Sequence, residues 1–311
     1  MKIVFMGTPD FAAGALEALI QAGHEITAVY TQPDKPKGRG KEVQMTPVKE
    51  LALKHGIPVH QPRRIKEAEE VEKLRQIPAD VFVVAAFGQI VSQDILDIPK
   101  YGCINIHASL LPKYRGAAPI QWAVIDGEDK TGITIMQMNA GIDTGDILYT
   151  KEYTLAPKET GASLFDKLMA LGAEAIVEAL PLLEAGQLTP IPQDHEKATH
   201  AAKLTKQLGE LNFGQSAVVL ERLIRGLNSW PSAYTYYKGK QLKIWQAEVV
   251  DMAAEAAEPG MVIAVDKQSF TVATGDGGLK ITELQIEGKK RMSCKDFLLG
   301  YPVVIGDKLG Q

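Results

Sequence analysis

Apolar strands alternate with helix-like segments over the first two-thirds of the chain, and five short β-rich runs separated by turn signals fill the last third. Together they predict an α/β protein, a mostly parallel sheet domain followed by a smaller antiparallel β-barrel domain. A length of 311 residues suffices for two domains, each with its own core. With 45% apolar and 23% charged residues, the composition excludes collagen-like, coiled-coil and wholly disordered classes.

The first strand is expected over residues 2–6, a β-branched and aromatic run ended by the turn Gly7-Thr8-Pro9-Asp10. A helix over 11–22 follows and stops at Gly23. The pattern repeats with a strand over 25–31, a helix over 47–55, a wholly apolar strand over 79–87 and another strand over 102–107. Residues 131–139 read as a strand, and residues 160–183 as a helix with Leu164, Leu168, Leu171 and Ala175 on one face. This gives a first domain over 1–187, with a Rossmann-like sheet.

Residues 188–207 turn polar and read as a connection. The second domain, 208–311, opens with a helix near 216–227 and continues with strands over 233–237, 241–250, 260–265, 269–274 and 279–285. Lys238-Gly239 and Gly275-Asp276-Gly277-Gly278 supply its clearest turns.

Cys103 and Cys294 lie 191 positions apart without zinc or redox spacing, which argues against a disulfide scaffold and fits a reducing, cytoplasmic setting. No segment reaches the roughly 18 uninterrupted apolar residues of a membrane helix, so no membrane partner is expected. The net charge is −4, all of it in residues 1–207, whereas 208–311 balance at twelve basic and twelve acidic side chains. Against that background the segment 34–49 stands at +3, with Lys35, Lys37, Arg39, Lys41 and Lys49 against Asp34 and Glu42. Its prolines and glycines predict a mobile basic loop.

The first turn lacks the spaced glycines of a dinucleotide site, although it puts a helix start at a strand's carboxyl end, where open α/β sheets bind ligands. Asn105-Ile106-His107 is the most informative stretch: strand alternation sends Asn105 and His107 to one face, so an amide donor and a titratable ring converge at a strand end. Gly141-Ile142-Asp143-Thr144-Gly145-Asp146 offers carboxylates in a glycine-rich loop that would complete a proton-handling set. A third His, Cys or Glu at ligand spacing is missing, so no metal is expected.

Asn105, His107, Ser109-Leu110-Leu111-Pro112, Arg115-Gly116 and Asp143 together resemble the signature of the formyltransferases that use 10-formyltetrahydrofolate. Gly7-Thr8-Pro9-Asp10-Phe11, Gln32-Pro33-Asp34, Gly38-Arg39-Gly40-Lys41, Gly116-Ala117-Ala118-Pro119-Ile120-Gln121 and Ala273-Thr274-Gly275-Asp276-Gly277 extend the resemblance over essentially the whole chain, to members that act on aminoacylated tRNA. The resemblance implies formyl transfer from folate N10 to the α-amino group of methionine on initiator tRNA, by a monomer. It makes Asn105, His107 and Asp143 catalytic, and puts the folate against Phe87, Gly88, Ile90, Ser109, Leu110, Leu111, Pro112 and Thr144. Lys35, Lys37, Arg39, Lys41, Lys203 and Lys206 become candidate tRNA contacts, and the barrel an OB-like module of a kind that often binds nucleic acid. Barrel and basic loop favour tRNA over a small amine; an RNA-binding protein without catalysis would leave Asn105, His107 and Asp143 unexplained.

Overall fold

The computed structural model describes residues 1–37, 42–251 and 257–310. Contacts divide the chain into two compact units: unit 1 comprises Met1–Pro119, Lys130–Thr154 and Phe165–Ala201, and unit 2 comprises Ile120–Asp129, Leu155–Leu164 and Ala202–Gln311. The polar stretch expected as a connection is thus split, its residues up to Ala201 packing within unit 1.

The elements of the first part of the chain are β1 (Lys2–Gly7), α1 (Asp10–Gln21), β2 (Glu25–Tyr30), β3 (Lys35–Lys37), β4 (Glu42–Gln44), α2 (Pro47–Lys54), β5 (Val59–His60) and α3 (Ala68–Arg75). They continue with β6 (Val81–Ala85), α4 (Gln93–Leu96), β7 (Cys103–His107), β8 (Arg115–Gly116), α5 (Pro119–Ile125), β9 (Lys130–Gln137), β10 (Ile147–Thr154), α6 (Gly161–Glu184) and β11 (His200–Ala201). Seven strands form one sheet in the order β10-β9-β7-β6-β1-β2-β5. The five from β7 to β5 run parallel, while β9 pairs antiparallel with β7 and β10 antiparallel with β9.

Burial explains the parallel part. Ile3, Val4, Phe5 and Met6 of β1 and all of β6 are buried, as a strand covered on both faces requires. Because β2 and β6 flank β1 on opposite sides, the strand order reverses between β1 and β6, and the carboxyl ends of those strands form the crevice in which such sheets bind ligands. Gly7 permits the tight exit from β1: a Cβ there would lie 2.5 Å from the Ala12 Cβ and 2.9 Å from the Ala85 carbonyl. The sequence signals missed β10, whose alternation of intermediate and exposed residues suits an edge strand. They also missed the β3–β4 pairing within the basic segment expected as a loop.

Unit 2 holds α7 (Ala217–Gly226), β12 (Ala233–Tyr237), β13 (Lys240–Val250), β14 (Val262–Val265), β15 (Phe270–Ala273), β16 (Gly278–Ile286), β17 (Met292–Ser293) and α8 (Cys294–Gly300). Its antiparallel sheet has the order β12-β13-β16-β15-β14, with β17 on β16. The edge strands are joined by the chain's end: Leu309 bridges Tyr237 while Lys308 bridges Met261, which wraps the sheet toward a barrel. Among the described residues no helix is long and apolar enough to cross a membrane.

Candidate active site

The crevice is tied together before any substrate group is considered. Thr8 Oγ1, just past β1, donates to the Phe87 carbonyl past β6 at 3.0 Å, and Gln32 Nε2, past β2, donates to the same carbonyl at 3.2 Å. Gln61 Nε2 donates to the Gln32 carbonyl at 2.9 Å and to Asp34 Oδ1 at 2.7 Å, while Lys49 Nζ donates to Asp34 Oδ2 at 2.5 Å. These bonds from Lys49 and Gln61 hold the Asp34 carboxyl below its usual range. The Gln32-Pro33-Asp34 segment is therefore a brace.

Residues 86–90 form the loop at the end of β6. Ala86 and Gly88 have φ of 44° and 80°, so the backbone turns sharply out of the sheet. The Phe87 ring is buried in the core and leaves only backbone to the crevice, whereas Ile90 is 71% exposed. Gln89 faces elsewhere: its amide donates to the Pro62 carbonyl and accepts from Ile65 N–H.

At the end of β7, Asn105 and His107 are only 9% and 5% exposed. His107 Nε2–H donates to the Tyr114 carbonyl at 2.8 Å. A carbonyl only accepts, so this bond fixes the proton on Nε2 and leaves Nδ1 toward Asp143, whose Oδ2 is 3.7 Å away. The Asn105 side chain makes no hydrogen bond to another described residue, so its amide is open to a ligand in the crevice.

Ser109–Pro112 are held from below by Thr134 on β9. Its hydroxyl donates to the Ser109 carbonyl at 2.7 Å and accepts from Leu111 N–H at 3.1 Å. Ser109 Oγ is itself spent on the Lys113 carbonyl at 2.7 Å, and the Leu111–Pro112 peptide is cis. Ser109 is fully buried with its hydroxyl and carbonyl both engaged, whereas Leu110 and Pro112 are partly exposed.

Asp143 sits at φ 52° on the loop between β9 and β10, and its Oδ2 accepts from Gly116 N–H at 2.8 Å. Asn139 Oδ1 accepts from Gly141 N–H and Thr144 Oγ1, closing the start of that loop. Gly145 packs so near the Gln137 carbonyl that a Cβ would lie 1.7 Å from it, which explains the glycine there.

The structure thus brings Asn105, His107 and Asp143 to one place. Sequence reading missed the Tyr114 carbonyl that orients His107, the amide of Gln193, which donates to the Asp143 and Gly145 carbonyls, and the Thr134 hydroxyl that holds residues 109–111. A backbone carbonyl carries no sequence signal, and Gln193 lies in the polar stretch read as a connection. Among the candidate tRNA contacts, Lys35 in unit 1 and Lys203 and Lys206 in unit 2 are exposed. Lys37 ends β3, and Arg39 and Lys41 fall outside the described residues. Among the described residues no cluster of three His, Cys, Asp or Glu is placed to hold a metal.

Comparison with known proteins gives the family. Residues 1–180 match the formyl transferase family and residues 203–302 match the formyl transferase C-terminal domain. Formyl transferases are thus the class that fold and site define. A methionyl-tRNA formyltransferase of Agathobacter rectalis is 55% identical over 306 residues, covering 98% of both chains, and one of Bacillus mycoides is 49% identical over 312 residues, covering 100% of this chain and 99% of the relative. The chain belongs to the methionyl-tRNA formyltransferase family. Solved structures share the fold at low identity: an N-formyltransferase from Helicobacter canadensis, in complex with folinic acid and dTDP-3-aminofucose, gives a TM-score of 0.68 at 17% identity over 94% of this chain and 100% of that one. HypX from Aquifex aeolicus in complex with tetrahydrofolic acid gives 0.62 at 20% identity over 96% of this chain and 47% of that one.

Proposed function

We propose that this chain transfers the formyl group of 10-formyltetrahydrofolate to the free α-amino group of initiator methionyl-tRNA, giving N-formylmethionyl-tRNA for translation initiation. One arrangement carries the reading: an Asn105 amide without a partner among the described residues, two residues before a His107 whose Nδ1 faces Asp143. The folate, when bound, supplies an activated formyl carbon.

As an amine adds to that carbon, negative charge grows on the formyl oxygen, and a preorganised donor aimed there lowers the barrier more than it strengthens substrate binding. Asn105 Nδ2–H is such a donor, free of competing partners. With the Nε2–H of His107 engaged by Tyr114, Nδ1 is the nitrogen through which the ring exchanges a proton with Asp143 and, once protonated, donates to the reacting oxygen. Asp143, anchored by Gly116 N–H, takes up the proton released by the amine, directly or through water; the formyl C–N10 bond then breaks and a proton is returned to N10, releasing tetrahydrofolate.

The residues around this point suit a flat heterocycle with polar edges. The exposed backbone at Gly88, the exposed side chain of Ile90, the Phe87 main chain, Ser109 to Pro112 and Thr144 combine apolar surface with backbone donors and acceptors. The basic segment with Lys35, Lys37, Arg39 and Lys41, together with Lys203 and Lys206, supplies phosphate contacts that the overall acidity of the chain does not preclude. We assign catalysis to the domain opening at residue 1 and tRNA binding to residues 208–311, with residues 188–201 serving the catalytic domain as well as leading out of it.

The test is transfer from 10-formyltetrahydrofolate to methionyl-initiator tRNA, run beside uncharged tRNA and a panel of small amines. Transfer restricted to the charged tRNA is expected. Formylation of small amines alone would move the chain to a small-molecule acceptor, and release of formate without an acceptor would make it a folate hydrolase.

A further inference from the structure

Gln193 is 6% exposed and uses every hydrogen-bonding position of its amide. Nε2 donates to the Asp143 carbonyl at 2.9 Å and the Gly145 carbonyl at 2.7 Å, and Oε1 accepts from Arg115 Nε at 3.0 Å and Nη2 at 2.7 Å. One side chain thereby joins the loop that carries Asp143 to the strand whose next residue, Gly116, donates to the Asp143 carboxylate.

The backbone on either side of Gln193 is fixed independently. Ile191 and Ile147 exchange both of their N–H···O bonds, at 2.8 and 2.9 Å, just beyond the Asp143 loop. His200–Ala201 pair in parallel with Arg115–Gly116. The amide is therefore presented from a frame anchored at both ends, which is what a side chain needs to hold another in place.

What it holds is a strained and consequential residue. A non-glycine at φ 52° persists only where surrounding contacts over-determine it, and Asp143 has two such contacts, Gly116 N–H on its carboxylate and Gln193 on its carbonyl. Because one group acts at each end of Asp143, the distance from its carboxylate to His107 Nδ1 is set jointly by both. We propose that Gln193 is a positioning residue for formyl transfer, acting through Asp143. The proposal rests on the reading of Asp143 given above, and its role is separable from that of Arg115, because donors and acceptors sit on different atoms of the amide.

The test uses Gln193→Met, which removes all four bonds at similar volume, and Gln193→Glu, which keeps acceptors for Arg115 but sets a carboxylate oxygen against the two carbonyls. Both variants and Asp143→Asn are assayed for formyl transfer to methionyl-tRNA, with near-ultraviolet circular dichroism as the folding check. A misplacement of about 1 Å costs on the order of 10²-fold in rate, so a fall in kcat of about 10- to 100-fold is expected in both variants, with KM for each substrate within about threefold. The pH profile of kcat should change shape with it. In the double variant Gln193→Met with Asp143→Asn, kcat should fall no further than in Asp143→Asn alone, since the two act as one unit.

If Asp143→Asn is crippled while both Gln193 variants keep wild-type kcat, the positioning role is overturned. Multiplicative losses in the double variant, or full activity of Gln193→Glu beside a crippled Gln193→Met, would overturn it too, the last by assigning the effect to Arg115. Loss of the folded dichroism in both variants would make Gln193 a structural brace and likewise overturn the proposal. If Asp143→Asn keeps wild-type kcat, the reading of Asp143 itself fails.

Discussion

The carboxyl ends of β7 and β2 belong to one sheet and present polar groups in opposite ways. At β7, Asn105 and His107 are almost fully buried, and the ring is oriented by a backbone carbonyl. At β2 the polar tether is only partly buried, Gln32 and Asp34 bonded to Phe87, Gln61 and Lys49, while the cation beyond them, Lys35, stands in solvent. The difference fits the two tasks proposed for them. A donor that stabilises charge in a transition state gains from being desolvated and fixed in advance, whereas cations that find a phosphate backbone act at a distance and need only be held on a suitable rim.

The comparison can be broken at its β7 end first. Replacing Asn105 by Ala removes the donor and leaves the fold untouched, so kcat should fall by about 10²–10³ with little change in KM for tRNA, measured by steady-state formyl transfer. A large rise in KM instead would place Asn105 among the binding groups.

At the β2 end the expectation is a smaller effect of a different kind. The double variant Lys35→Ala with Arg39→Ala should keep kcat at saturating tRNA but lose kcat/KM about tenfold at low salt. The slope of log kcat/KM against log salt should become shallower by about 0.7–0.9 for each phosphate that is no longer neutralised. An unchanged slope would mean these cations are ordinary surface charges.

Thr134→Val sharpens the claim that the β7 end is built from beneath. It leaves Leu111 N–H buried and unpaired, which should cost about 1–3 kcal/mol in denaturant unfolding, with activity falling in parallel. A neutral result would show that residues 109–112 hold their shape unaided.

The smallest effect concerns the tether. A carboxyl held below its usual range stabilises the fold at pH above its ordinary value and loses that contribution as pH falls through the lowered one. The melting difference between wild type and Asp34→Asn should therefore be constant from pH 8 to pH 5 and shrink only below pH 3.8, the ordinary value.

What was legible in the sequence divides along the same line. Hydrophobic runs gave β1, β2, β6 and β7 with their order along the chain, because strands buried on both faces leave continuous apolar signatures. Strand alternation put Asn105 and His107 on one face, and the family signature pointed to Asp143. β10 escaped notice because an edge strand half in solvent has little apolar content. Thr134 and Gln193 were invisible for another reason: each acts by bonding to backbone, and backbone partners are chosen by the fold, not by residue type. The unit 2 strands were readable from turn signals, but the closure by Lys308 and Leu309 joins residues about 50 and 70 positions away, beyond any local pattern.

A rapid-quench single turnover of formyl transfer, with methionyl-initiator tRNA and 10-formyltetrahydrofolate both saturating, separates the two ends of the sheet most directly. The account predicts that the rate falls about 10²–10³-fold in Asn105→Ala and stays near wild type in Lys35→Ala with Arg39→Ala. Equal losses in the two variants, or a wild-type rate in Asn105→Ala, would contradict it.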